Sequence, residues 1–150
     1  KSSVRCIIKM NETQIVSGST DRTIKLWNLE NGSCTKTLVV NNTLTCLIKL
    51  NENQIASNHS TVTVWNLDKG SCEKTLEKYT KFIKCLVKLN EKQIASGSWD
   101  GTINVWNLSD GSCAKTLFVH KSPINWVVKL NEMQIVSGVD SGLVKVCNLD

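Results

Sequence analysis

Residues 27–38 read WNLENGSCTKTL, and the chain repeats nearly the same segment. Residues 65–76 read WNLDKGSCEKTL and residues 106–117 read WNLSDGSCAKTL, while a further copy begins with CNL at residue 147. The copies start at residues 27, 65, 106 and 147, in steps of 38, 41 and 41 residues. A fixed period of this size is typical of stacked supersecondary units, none of which buries its apolar surface alone.

Each repeat divides into strand-length segments separated by short polar turns. In the first repeat the segments are residues 4–10, 14–19, 23–29 and 33–40. The third alternates apolar and polar residues, and the Asn31-Gly32 dipeptide before the fourth favours a tight hairpin. No segment keeps a 3.6-residue apolar spacing over ten residues, which argues against helices. Each repeat therefore predicts a four-stranded antiparallel meander, the size of one propeller blade.

Two segments carry a resemblance to a known family. Residues 17–29, SGSTDRTIKLWNL, and residues 96–108, SGSWDGTINVWNL, resemble the core signature of WD-repeat β-propellers. The resemblance covers essentially all 150 residues. The Gly-Ser-Cys-x-Lys-Thr-Leu strand is also similar to the propellers of F-box/WD-type substrate receptors, although these 150 residues contain no F-box segment. The family implies an all-β fold of propeller blades that generally bind proteins rather than catalyse reactions.

The resemblance also implies a structural hydrogen-bond relay of His, Ser, Asp and Trp in each blade. The matching residues are Ser17, Asp21 and Trp27 in the first repeat, Ser57 and Trp65 in the second, Ser96, Asp100 and Trp106 in the third, and His120 and Ser137 in the fourth. The second repeat has lost two residues and its Asp, and Cys147 replaces the Trp of the fourth. No repeat carries the whole relay, so we expect a lower stability than in a regular member of the family.

The number of strands sets the expected architecture. We predict a single β-propeller domain over residues 1–150, with repeats at approximately 1–40, 41–79, 80–120 and 121–150. The fourth repeat lacks its outer strand, and rings of this family usually close with about seven blades. We therefore expect a half-propeller that completes a larger ring. Either two copies associate head to tail into an eight-bladed homodimer, which we favour, or the chain is a fragment of a longer propeller.

Charge and composition restrict the partners. The net charge is +5, but the lysines follow the repeat in two columns, so we interpret them as a solvated surface spread around the molecule. The columns are Lys9, Lys49, Lys88 and Lys129, and Lys36, Lys74 and Lys115. With only two arginines, a phosphopeptide or nucleic-acid site is the least favoured alternative. No apolar run approaches the roughly 20 residues of a membrane span, so we expect no membrane partner.

Six of the seven cysteines also follow the repeat, Cys6, Cys46 and Cys85 in one column and Cys34, Cys72 and Cys113 in another. We interpret them as small buried hydrophobic residues in a reducing compartment, which favours a cytoplasmic, intracellular protein. The sequence has no Cys-x-x-Cys and only two histidines, so we expect no metal and no cofactor.

A search for catalytic motifs finds neither a Gly-x-Ser-x-Gly elbow nor a phosphate-binding glycine loop, so we expect no enzymatic activity. Trp99 lies outside the repeated Trp column, in a turn that resembles the partner-facing rim of WD propellers, where the first repeat has Thr20. The neighbouring loops add Tyr79, Lys81, Phe82, His120 and Lys121. We therefore predict a non-catalytic scaffold that binds an acidic or aromatic-containing partner peptide at this rim. Trp126, which replaces a column cysteine, is predicted to fill the core.

Overall fold

The computed structural model describes residues 2–58, 60–76 and 82–150. Across those residues the chain forms fifteen β-strands and no helix. The strands are β1 (Val4–Lys9), β2 (Gln14–Ser19), β3 (Thr23–Asn28), β4 (Cys34–Val39), β5 (Leu47–Lys49), β6 (Gln54–Asn58), β7 (Val62–Asn66), β8 (Ser71–Leu76), β9 (Ile83–Lys88), β10 (Gln93–Ser98), β11 (Thr102–Asn107), β12 (Cys113–Phe118), β13 (Ile124–Lys129), β14 (Gln134–Val139) and β15 (Val144–Asn148).

Consecutive strands pair antiparallel into four sheets, each of which is one blade. Blade 1 contains β1–β4, blade 2 contains β5–β8, blade 3 contains β9–β12, and blade 4 contains only β13–β15. Gly32 turns β3 into β4 with a φ of +68°, a left-handed conformation that glycine adopts without steric cost. The prediction of four antiparallel units with an unfinished last unit is confirmed.

The apolar core lies in the three seams between successive blades rather than within any blade. Side chains alternate along each strand, so every blade presents one set of residues to the blade before it and another set to the blade after it. In the seam between blades 2 and 3, Ala56 and Val64 of blade 2 pack in one cluster with Ile94 and Trp106 of blade 3. Each blade thus depends on its neighbours for burial.

The two end blades each keep one face uncovered. On the face of blade 1 that points away from blade 2 (the free face of blade 1), Ile7 is exposed. The face of blade 4 that points away from blade 3 (the free face of blade 4) exposes Trp126, Val128, Val144 and Val146. The prediction that Trp126 fills the core is wrong for the single chain, in which this side chain is 65% exposed. The equivalent Cys85 is buried because blade 4 covers it, whereas nothing covers blade 4.

The cysteine columns differ in burial, and the interpretation of all six as buried is wrong for the outer column. Cys34 and Cys72 lie at or near the start of the outermost strands of blades 1 and 2 and are exposed, whereas Cys113, at the start of the outermost strand of blade 3, is half-buried. In the inner column Cys85 is buried, while Cys6 and Cys46 are half-buried. All seven cysteines are free thiols. Burial raises the pKa of Cys85 to about 12 and that of Cys6 to about 11.

These differences predict unequal reactivity of the thiols. In the native protein at pH 8, iodoacetamide should alkylate Cys34 and Cys72 more than about tenfold faster than Cys85, because only the exposed thiolate is reactive. Peptide mass spectrometry of a time course measures each rate. In denaturant all seven thiols should react alike. Equal native rates at Cys34 and Cys85 would contradict the packing of the seam between blades 3 and 4.

Candidate protein-interaction site

The Ser–Trp part of the relay is formed in the first three blades. The indole Nε1–H of the third-strand Trp donates to the Oγ of the second-strand Ser at 2.9 Å in each pair, Trp27 to Ser17, Trp65 to Ser57 and Trp106 to Ser96. In blade 3 the pair is fully enclosed, since neither Trp106 nor Ser96 has exposed surface. These bonds satisfy a polar group that would otherwise be buried alone, and they assign the three tryptophans to packing.

The two relay aspartates close the turn between the second and third strands. The Oδ1 of Asp21 accepts hydrogen bonds from the backbone N–H of Thr23 at 2.9 Å and from its hydroxyl at 2.6 Å. Asp100 makes the same pair of bonds with Thr102, at 3.0 and 2.6 Å. The hydrogen bond from Thr23 lowers the pKa of Asp21. The aspartates thereby fix the shape of the turns.

His120 lies against the second strand of blade 4. Its Nε2 is 2.9 Å from the Oγ of Ser137, and its Nδ1 is buried without a hydrogen-bond partner among the described residues. Burial lowers the pKa of His120, and the nearby Lys145 lowers it further. A neutral, half-buried imidazole bonded to serine fits the structural role that the relay assigns to it.

Trp99 stands on a turn that is anchored on both sides. Its side chain is 55% exposed, while its backbone N–H donates to the carbonyl of Phe82 at 2.9 Å. The carbonyl of Gly101 accepts the backbone N–H of His120 at 3.0 Å. Gly101 has a φ of +82°, and a Cβ there would lie 1.9 Å from the carbonyl oxygen of His120. The turn therefore requires glycine, and its hydrogen bonds hold the backbone of Trp99 in place.

A line of polar contacts connects Trp99 to blade 4. The Nζ of Lys84 lies 5.6 Å from the centre of the Trp99 ring, within the range of a cation–π interaction. Lys84 also donates to Asn125, and Asn125 donates to Asp140. Sequence reasoning did not select Lys84 or Asn125. The only signal was that their column holds a different residue in every repeat, Arg5, Thr45, Lys84 and Asn125.

The other predicted rim residues fall into three groups. Phe82 is exposed and is bonded through its carbonyl to Trp99, and Lys121 is exposed beside His120. Together, Phe82, Lys84, Trp99, His120 and Lys121 are called the rim patch below. Thr20 lies on the equivalent turn of blade 1, where its Oγ1 accepts the backbone N–H of Ser3 at 2.9 Å. Tyr79 and Lys81 lie outside the described residues, as does His59.

The lysine columns connect blades. On the outer strands the Nζ of Lys36 donates to the carbonyls of Leu67 and Asp68 on the next blade, at 2.6 and 2.7 Å. Lys74 makes the equivalent bonds to Leu108 and Ser109, at 2.7 and 2.9 Å. On the inner strands Lys49 and Lys88 reach back to carbonyls of the preceding blade. The interpretation of the lysine columns as a solvated surface is therefore wrong for these four lysines, whose Nζ groups bond carbonyls of a neighbouring blade. Lys9 of the inner column is exposed, as the interpretation predicts.

A cleft between blades 1 and 2 lies beside the shortened turn of the second repeat. Asn58 occupies the place of the glycines Gly18 and Gly97, and its Nδ2 donates to the carbonyl of Ile83 at 2.8 Å. The cleft has a volume of about 480 Å³ and is lined by Trp65 together with hydroxyl and amide side chains. Sequence reasoning noted the deletion but not the cleft, because the cleft depends on how the linker after blade 1 folds over it.

The described residues contain no group of three or more His, Cys, Asp or Glu side chains arranged to hold a metal ion. In the same part of the chain, no helix has the length and apolar character needed to cross a membrane.

The family model for the WD domain, G-beta repeat, matches residues 1–28 and 70–107. These two segments are WD repeats. The second match runs from the outer strand of blade 2 through the third strand of blade 3, so the family's sequence repeat is offset from the blade. The unmatched residues include most of the shortened second repeat and all of the fourth repeat, in which Cys147 replaces the Trp.

Solved structures share the propeller fold. The WD-repeat chain is similar to the computationally designed Ika4 protein, with 27% identity, a TM-score of 0.87 and coverage of 100% of this chain and 93% of that one. It is also similar to the WD40 propeller domain of Doa1 (22% identity, TM-score 0.88, 99% and 51% coverage) and to U3-55K (21%, 0.89, 99% and 50%). The chain thus spans about half the length of the last two. No curated protein sequence matches the chain.

The buried relay pair of blade 3 gives a stability prediction. Ser96→Ala should lower the free energy of unfolding by about 1–3 kcal/mol, because the indole N–H of Trp106 would be left buried without an acceptor. Ser109→Ala, at an exposed serine of the same blade, should change it by less than about 0.5 kcal/mol. Urea titrations followed by circular dichroism measure both. Equal effects of the two substitutions would contradict the enclosure of the pair.

His120 gives a prediction of pH dependence. Because folding lowers the pKa of this base, its contribution to stability is fully present above the unfolded-state pKa of about 6.5. As the pH falls below that value, the unfolded chain binds a proton that the folded chain resists, so the free energy of unfolding decreases. His120→Gln, which keeps a donor for Ser137, should reduce this decrease between pH 7 and 5. Parallel curves for the two proteins would show that His120 is not buried as a neutral base.

Proposed function

We propose that this WD-repeat chain is a non-catalytic protein-interaction scaffold that binds a partner peptide at the rim patch. WD-repeat propellers generally serve as scaffolds for protein interactions, which supports the scaffold role. The observation that supports the rim patch is a half-exposed tryptophan on a turn fixed by hydrogen bonds on both sides. A rigid aromatic side chain loses little conformational freedom on binding, and tryptophan is enriched among the residues that dominate interface energies.

The surroundings of Trp99 define the class of peptide. Lys84 lies over the indole and Lys121 is exposed nearby, whereas Phe82 adds an exposed ring. A partner with one aromatic or aliphatic side chain, flanked by Asp or Glu, would match this mixture of rings and positive charges. Lys36 and Lys74 of the outer column bond carbonyls of the next blade instead, so these two ammonium groups already have partners within the protein.

The test is a selection from a random peptide library displayed on phage, with the WD-repeat chain immobilised. Selected peptides should be rich in Asp, Glu and aromatic residues, and Trp99→Ala should weaken their binding about 30-fold or more. Phe118→Ala provides the matched control, because Phe118 is an 89% exposed aromatic on the outer strand of the same blade, and should leave binding unchanged. Equal affinities for Trp99→Ala and the wild type would contradict the proposal.

A second candidate function is architectural. The free faces of blades 1 and 4 expose apolar side chains that internal blades bury, and monomeric soluble proteins rarely leave large apolar patches uncovered. On this proposal the chain is half of a larger ring, and blades of the same construction cover both faces. Binding at the rim patch and completion of a ring are compatible, because the rim patch and the two free faces contain different residues.

The free thiols support a proposed cytoplasmic location, since pairs of cysteines are kept reduced there. Cell fractionation with an antibody against the chain tests this placement, and recovery from the secreted material would contradict it.

A further inference from the structure

The free faces of blades 4 and 1 are the two halves of a seam that a single chain does not form. We propose that a second copy of this chain covers both of them, with blade 1 of each copy packed on blade 4 of the other, so that two copies close an eight-bladed ring. The proposal rests on the architectural candidate function above and names the occupant of both faces.

The free face of blade 4 repeats a surface that is buried one blade earlier. Cross-strand neighbours share a face of the sheet, and on blade 4 they form two rows, Trp126, Gly138 and Val144, and Val128, Val136 and Val146. The corresponding rows of blade 3 are Cys85, Gly97 and Ile103, and Val87, Ala95 and Val105, all of which pack in or against the seam with blade 4. The free face of blade 4 is therefore a seam surface without its neighbour.

The free face of blade 1 supplies the complementary surface. Blade 2 packs on blade 1 through Leu47, Ile55, Leu67 and Trp65. The residues at the same positions of blade 1 are Ile7, Ile15, Leu29 and Trp27, with no preceding blade to cover them. Each chain thus carries both apolar halves of the missing seam, in the register used by its internal seams.

A lysine fixes the register of the proposed contact. In two of the three internal seams an inner-strand lysine bonds the preceding blade: the Nζ of Lys49 donates to the carbonyl of Met10, and that of Lys88 donates to the carbonyl of Leu50. Lys9 is the equivalent residue of blade 1, and its side chain is 58% exposed, compared with 31% for Lys49 and 27% for Lys88. The carbonyl that continues the series is that of Leu130 in blade 4, so Lys9 of one copy would donate to Leu130 of the other.

The proposed seam differs from the internal seams at one residue that departs from the repeat. Trp126 stands where the other three blades have a cysteine. A large aromatic side chain on an uncovered seam surface has the character of an interface anchor. In the proposed dimer it would pack on the free face of blade 1, near Ile7, the counterpart of the blade 4 residue Val127 that packs close to Gly97. This accounts for its 65% exposure in the single chain.

The length of the chain leaves room for a second copy in a ring. Residues 1–150 superpose on about half of the Doa1 chain and half of the U3-55K chain, so each of those chains is about twice as long as this one. A head-to-tail contact between identical chains closes when the rotation completes a turn, and otherwise continues as a filament. In the proposed dimer the contact closes after two copies, and neither free face stays exposed.

The test measures the mass of residues 1–150 in solution by light scattering after size exclusion, from 1 to 100 μM. We expect a species of twice the 16.7 kDa chain mass. A stable monomer throughout this range would overturn the proposal, because both faces would then be stable in water. Open-ended polymers or a larger ring would also overturn it, since the contact would not close with two copies.

Three substitutions on the free faces locate the contact. Gly138→Val should give a folded monomer, because a Cβ at Gly138 meets nothing within 4 Å in the single chain, whereas one at the equivalent Gly97 lies 2.7 Å from Ile124 of the next blade. Trp126→Ala should weaken the dimer about 100-fold or more, and Lys9→Met about tenfold. Circular dichroism checks that each variant keeps the wild-type sheet content.

Phe118→Ala is the control for Trp126→Ala, since it removes an exposed aromatic that lies outside both free faces, and it should leave the dimer unchanged. Trp99→Ala should also leave the dimer intact while weakening peptide binding, which separates failure of the dimer from failure of the rim patch. A dimer that survives both Gly138→Val and Trp126→Ala would use another surface and would overturn the proposal.

Discussion

The structure depends on one constraint, which is that a blade has two apolar faces and must have a neighbour on each. A single four-stranded sheet of this size exposes both faces to water and cannot bury enough apolar surface to fold alone. The alternation of side chains divides every strand between two seams, so a residue such as Ile94 stabilises the contact with blade 2 while Ala95 stabilises the contact with blade 4. Burial at a given position therefore depends on the number of blades present.

The lysine columns stabilise the same contacts between blades through hydrogen bonds. Carbonyl groups at the ends of strands remain without partners when a blade stops, and lysines from the adjoining blade reach them. Lys36 and Lys74 each bond two successive carbonyls of the next blade. The inner lysines add a salt bridge three residues along the chain, as Lys49 does with Glu52. These lysines therefore have a structural role in the seams.

Much of the fold could be predicted from the sequence because its signals are local. The period, the Asn-Gly turn at Gly32 and the two-residue alternation of the third strand depend only on near neighbours. The Ser–Trp pairs followed from the family resemblance, and the structure forms them at Ser17, Ser57 and Ser96. The exposure of Trp126 and Cys34 could not be predicted in this way. The exposure of Trp126 depends on which blade follows, and that of Cys34 depends on where the outer strand lies. The repeat pattern gives neither of these.

The candidate site could likewise be predicted only in part from the sequence. Trp99 could be selected from the sequence because it lies outside the repeated Trp column, where the first repeat has Thr20, but the residue that lies over its ring could not. Lys84 is fifteen residues earlier and belongs to another strand of the blade, and Asn125, which holds it, belongs to the next blade. Only the packing of blade 4 on blade 3 places these groups together. A column that varies among otherwise similar repeats was the one available signal.

The rim patch and the free faces are related through blades 3 and 4. The contacts from Trp99 through Lys84 and Asn125 to Asp140 cross the last internal seam and end on the blade whose other face is uncovered. In a closed ring of two copies, the two rim patches would lie on the same rim and be related by the twofold axis. A partner with two binding segments would then engage both, and the second binding step would be intramolecular. Assembly of the ring would in this way raise the affinity for a bivalent partner without any change in the patch itself.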